Sequence, residues 1–146
     1  MKTDIENRTD IRQLIHKFYE HLLKDDTFRH IFLEVAAIDI LPHLDIIIDF
    51  WESVLFQAGK YKGDTVQKHL DLHMDHGLTQ EDFIRWLALF NQTVDDLFAG
   101  EKASGAKDRA LSIATIRKLK IDDLENRRLA LSNYHGKSNH PHPGVL

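Results

Sequence analysis

Cysteine is absent from the 146-residue sequence. Its absence excludes disulfides, iron–sulfur clusters and thiolate-bound zinc, and it is compatible with a reducing compartment. No apolar run approaches the roughly 20 residues that a membrane-spanning helix needs, and the N-terminus lacks the apolar core of a secretion signal. We therefore expect a cytoplasmic protein without a membrane span.

Long basic blocks are also missing, and the formal net charge is −4 with histidine taken as neutral. A surface of this kind does not attract a phosphate backbone, so we expect no nucleic-acid partner. Hydrophobic residues make up 42% and charged residues 29% of the chain, which is typical of a folded globular protein. The length suits one domain.

Residues that break helices are scarce in most of the chain. The first glycine is Gly59, and Pro42 is the only proline before residue 141. Apolar residues recur at helical spacing, which predicts an all-α fold with helices over 10–24, 42–59, 66–74, 79–98 and 103–120. The first helix is expected to begin at Thr9 or Asp10, and Thr79 with Asp82 predicts a capping box.

Residues 1–132 are expected to form the domain. Residues 133–146, which contain two glycines and two prolines, are expected to form a disordered tail.

Histidine is abundant, with ten residues in the chain. Three of them, His69, His73 and His76, form a cluster in which the first two are four residues apart and share a helix face. This spacing allows a zinc site, although no glutamate follows His69 to act as a general base. A solvated surface cluster is the simpler alternative.

Haem is a third interpretation of the same residues. An iron porphyrin needs an axial imidazole, a flat apolar slot and polar donors over the opposite face. The chain supplies abundant aromatic residues for such a slot: Phe28, Phe32, Phe50, Trp51, Phe83 and Trp86. Taken alone, this stripe also fits ordinary core packing, so a helical interaction module without haem stays open.

The order of several short motifs narrows these alternatives. The chain carries, in this order, Phe18-Tyr19, Ile31-Phe32, His43, Phe50-Trp51, Tyr61-Lys62-Gly63, His69-Leu70-Asp71-Leu72 and residues 83–90. This series resembles the third group of the truncated haemoglobins, a bacterial globin family, over roughly residues 4–120. The lack of any Gly-Gly pair also fits that group.

The resemblance implies a globin-like, truncated two-over-two helical sandwich around haem b. It places the iron ligand at His69 and the residues over the bound gas at Tyr19, His43 and Trp86. Counting back from Trp86 favours His73 instead, and His76 stays a further alternative. Tyr61, Lys68 and Arg85 are candidate propionate partners. Further residues are expected to contact the cofactor: Phe32, Leu33, Leu44, Ile47, Trp51, Tyr61, Val66, Leu72, His73, His76 and Phe83.

Two functions follow from this resemblance. The first is reversible binding of a diatomic gas, oxygen and also carbon monoxide or nitric oxide, at ferrous iron. The second is a haem enzyme that converts nitric oxide to nitrate or uses peroxide as an oxidant. The enzyme would need an electron-donating reductase as a partner, so rapid re-reduction of the iron would distinguish it from a gas-binding protein.

Overall fold

The structure is a computed structural model that describes residues 1–35, 39–56 and 78–137. These ranges contain helices and no strand: α1 (Arg8–Leu22), α2 (Asp26–Arg29), a π-helix (His30–Val35), α3 (Ile40–Phe56), α4 (Gln80–Leu97) and α5 (Glu101–Lys137). The predicted all-α class is therefore confirmed. The helix predicted over 66–74 lies outside the described residues.

Side-chain caps set the start of α1, α2 and α4; at α2 the Asp25 carboxylate accepts the backbone N–H groups of Thr27 and Phe28. At α1 the Asn7 Oδ1 atom accepts a hydrogen bond from the backbone N–H of Asp10 at 2.9 Å, so the helix begins before the predicted Thr9 or Asp10 cap. At α4 the predicted capping box is present, since Thr79 and Asp82 each accept a backbone N–H from the other.

The helices pack as two pairs. α1 contacts α3, α4 contacts α5, and α1 also packs against α4, so the pairs lie on one another. Their facing surfaces bury an apolar core with few polar side chains, and its largest fully buried members include Phe28, Phe83 and Phe90. Burial of this core is the main source of stability. The arrangement is the two-over-two sandwich that the sequence analysis expects.

Helix α5 is longer than predicted. It runs to Lys137, past the expected end at Lys120. The side chains of residues 125–133 are all exposed. This stretch therefore lacks the regularly spaced apolar residues from which a helix is predicted. Among the helices of the described ranges, none is both long enough and apolar enough to cross a membrane.

The N-terminal segment is bound to the start of α5. Gly100, which precedes the helix, has no side chain for capping. Instead the Asp4 carboxylate accepts the backbone N–H groups of Lys102 at 2.8 Å and Ala103 at 2.9 Å. The backbone N–H of Ala99 also donates to the Thr3 carbonyl at 3.0 Å. This segment thereby satisfies helix donors that would otherwise lack partners.

Candidate functional site

A small, largely apolar cavity lies where the helices meet. Its volume is about 30 Å³, enough for a molecule the size of water or a diatomic gas. The described residues that line it come from every long helix, from the π-helix and, with Leu78, from the segment before α4: Phe18, Tyr19, Phe32, His43, Ile47, Phe50, Trp51, Leu78, Trp86 and Ile113. Most of these side chains are hydrocarbon, so the few polar atoms in the lining determine what the cavity can bind.

Tyr19 and His43 form a buried hydrogen-bonded pair. The Tyr19 hydroxyl and the His43 Nε2 atom are 2.7 Å apart, and the two residues are only 7% and 4% exposed. The phenol donates to a bare Nε2, whereas it accepts when Nε2 carries the hydrogen. Burial raises the pKa of Tyr19, so the phenol keeps its proton at every physiological pH.

Trp86 brings an indole to the same cavity from α4. Its ring is stacked on Phe90, with centroids 5.9 Å apart and planes 14° apart, and Phe18 meets it edge-on at 5.7 Å. The residue is 6% exposed. A buried indole combines an apolar body with one N–H donor, so Trp86 adds a polar side chain from another helix to a lining that already contains Tyr19 and His43.

The structure brings together six of the site residues named in the sequence analysis. The cavity lining contains Tyr19, Phe32, His43, Ile47, Trp51 and Trp86. Leu44 and Phe83 are buried without lining the cavity, and Leu33 is 43% exposed. The remaining predicted residues lie outside the described ranges: Tyr61, Val66, His69, Leu72, His73 and His76.

Four lining residues were not among the predicted cofactor contacts: Phe18, Phe50, Leu78 and Ile113, although Phe50 was named among the aromatic residues available for an apolar slot. Phe18 and Phe50 stand directly before Tyr19 and Trp51, so their place in the motifs was a usable signal. Leu78 belongs to no helical stripe, because it lies between Gly77 and the cap of α4. Ile113 comes from the α5 stripe, and only the packing of α5 on α4 shows that it reaches the cavity.

Arg85, the one candidate propionate partner within the described ranges, is engaged in other contacts. Its guanidinium pairs with the carboxylates of Asp25 and Asp82 and lies over the Phe28 ring, 5.2 Å from the centroid. These contacts join the start of α2 to α4. Among the described residues, no group of three or more histidine, aspartate or glutamate side chains is placed to hold a metal ion.

Comparison with known proteins identifies relatives for most of the chain. No family model matches the chain. The sequence is 31% identical over 118 residues to a group 3 truncated haemoglobin of Campylobacter jejuni, an alignment that covers 79% of this chain and 91% of that protein. The crystal structure of a group III truncated haemoglobin from Campylobacter jejuni matches with a TM-score of 0.69 and 30% identity, covering 82% of this chain and 94% of that one.

Proposed function

The chain belongs to the group 3 truncated haemoglobins, and on that premise we propose that it holds haem b and binds a diatomic gas in the cavity. The observation that carries the proposal is the buried Tyr19–His43 pair, which lies in an apolar cavity that Trp86 also lines. Ordinary core packing does not require three hydrogen-bonding side chains around one small cavity, since each buried polar group must find a partner.

The lining of the cavity suits one wall of a porphyrin site. At about 30 Å³ the cavity itself has room for the gas and not for the ring, but its aromatic and aliphatic side chains match the flat apolar surface that a porphyrin presents. Because the chain has no cysteine, thioether attachment is excluded and non-covalent haem b is the form that fits. When bound, the haem would supply a ferrous iron that takes up the gas.

We propose His69 as the iron ligand. The stretch that carries His69, His73 and His76 joins α3 to α4, and Leu78, which lines the cavity, follows His76 by two positions in the chain. Among the three histidines, His69 is the one that matches the family motif, through Leu70-Asp71-Leu72.

The distal residues would hold the gas by hydrogen bonds. The Trp86 indole N–H is a permanent donor, and the Tyr19 hydroxyl becomes one when His43 Nε2 donates to the phenol oxygen. A hydrogen bond to a partly charged partner is worth about 1.5–3 kcal/mol, which slows release of the gas by roughly ten- to a hundredfold. His43 therefore orients Tyr19 as well as lining the cavity.

Substitution of the three clustered histidines tests the iron ligand. We expect His69→Gly to weaken haem retention and change the visible spectrum of the iron, and added imidazole to restore that spectrum. The matched variants His73→Gly and His76→Gly should keep the spectrum of the unsubstituted protein. An unaltered iron spectrum in His69→Gly would eliminate His69 as the ligand.

A further inference from the structure

The aromatic ring of Phe90 lies between the two tryptophans of the cavity. Phe90 is stacked on Trp51 with centroids 5.0 Å apart and planes 20° apart, and on Trp86 at 5.9 Å and 14°. Phe18 closes the group, since its ring meets Phe90 edge-on at 5.0 Å. Phe90 itself is fully buried and does not line the cavity, whereas both tryptophans do.

This stack restricts the orientation of the Trp86 indole. Trp86 and Phe90 are one turn apart on α4, so the ring of Phe90 covers one indole face, while Phe18 meets the indole edge-on. Rotation of the indole out of its plane would drive it into these rings. The direction of the N–H is fixed with the plane, and a hydrogen bond weakens steeply as its angle departs from linearity.

We propose that Phe90 is a positioning residue that fixes the indole planes of Trp86 and Trp51 and so aims the Trp86 N–H into the cavity. Its effect on gas binding rests on the proposed function, whereas its effect on the indoles does not. Trp51 and Trp86 are the only tryptophans of the chain. The tryptophan bands of the haem-free chain therefore arise from this stack alone.

The first arm of the test uses the haem-free full-length chain. In Phe90→Leu, the tryptophan bands of the near-ultraviolet circular dichroism spectrum should lose most of their intensity while the helical far-ultraviolet signal persists. Phe98→Leu is the matched control, because Phe98 is buried at the end of α4 and is outside the cavity lining. If Phe90→Leu unfolds, Phe90→Met, which fills the core without a flat face, replaces it. Unchanged bands in a folded Phe90 variant would overturn the proposal.

The second arm measures the rate at which oxygen dissociates from the haem-loaded chain. Trp86→Phe should raise the dissociation rate of oxygen about tenfold or more, as expected for one lost charge-assisted hydrogen bond. As a single substitution, Phe90→Leu should raise the oxygen dissociation rate severalfold. In a chain that already carries Trp86→Phe it should have no further effect, because both substitutions act on the same hydrogen bond from the Trp86 N–H to the gas. A dissociation rate equal to that of the unsubstituted protein in Phe90→Leu would overturn the positioning role.

The two arms separate the two proposals. If the unsubstituted chain takes up no haem, the proposed function fails while the spectroscopic arm still decides the role of Phe90. If haem binds and Trp86→Phe speeds release, but Phe90→Leu alters neither the tryptophan bands nor the rate, the inference on Phe90 fails alone.

Discussion

The phenol of Tyr19 is held from two sides in the cavity lining. It is buried, it pairs with His43 at 2.7 Å, and the Phe32 ring is stacked on it with centroids 6.0 Å apart. The phenol is therefore held in place by a polar contact on one side and an apolar one on another. A fixed donor of this kind loses little freedom when it binds a ligand.

Removing the Tyr19 hydroxyl should weaken binding of the gas. In Tyr19→Phe we expect oxygen to dissociate roughly ten- to a hundredfold faster, since a bond of about 1.5–3 kcal/mol is lost and the ring shape is kept. Flash photolysis and stopped-flow mixing of the haem-loaded protein would measure the rates. An unchanged oxygen dissociation rate would show that Tyr19 only packs in the core.

The same residue makes the fold sensitive to alkali. Burial raises the pKa of Tyr19 in the folded chain, whereas the unfolded chain ionises this phenol near its ordinary value of about 10. Above that pH the unfolded state binds fewer protons than the folded state, so the free energy of unfolding falls as pH rises. Urea unfolding at increasing alkaline pH should show a smaller decline in Tyr19→Phe than in the unsubstituted chain. Equal declines would contradict this assignment.

At the scale of the elements, the N-terminal segment supplies the cap that α5 lacks. Burial alone would raise the pKa of Asp4, but hydrogen bonds from the backbone N–H groups of Lys102, Ala103 and Ile5 outweigh it and lower the pKa. Gly100 has a φ of 144°, a conformation that favours glycine, and a Cβ atom there would collide with the Asp4 side chain. Asp4 thus caps α5, and the glycine at position 100 leaves the space that the Asp4 side chain occupies.

Substitution of Asp4 should therefore destabilise the fold. We expect Asp4→Ala to lower the free energy of unfolding by about 0.5–2 kcal/mol, the usual cost of losing a helix cap. The contribution of Asp4 is present above its unfolded pKa and is lost as the pH falls through the lowered folded pKa, so the difference between the two proteins should shrink in acid. Chemical denaturation would measure it, with Glu6→Ala, an exposed acid in the same segment, as the control. Equal losses in the two variants would argue against a capping role.

Helix α5 shows where sequence patterns stop being informative. Its first half carries an inward stripe that includes Ala106, Ala110 and Ala114, and the sequence predicts that half correctly. Beyond residue 124 the described side chains are exposed. Because this part of the helix does not pack against the core, its sequence needs no apolar residues at helical spacing. Charged and straight-chain residues favour the helix through backbone propensity alone, which an amphipathic pattern does not reveal.

For the whole molecule, three residues of the cavity lining were predictable from the family motifs, and the full lining was not. Tyr19, His43 and Trp86 come from three helices, and the resemblance to the family named them together before the structure showed that all three line one cavity. Leu78 and Ile113 complete the walls only because α4 and α5 pack together, and that contact has no local signal. The proposed iron ligand, His69, lies outside the described ranges and stays a prediction from the family motif.

A haem titration of the purified full-length chain, reduced and then exposed to carbon monoxide, tests the central claim most directly. The account predicts a strong haem absorption band that saturates at one haem per chain, shifts on addition of the gas and is accompanied by quenching of the two cavity tryptophans. Haem uptake that does not saturate, or a band that the gas does not move, would contradict the assignment of this cavity as a gas-binding haem site.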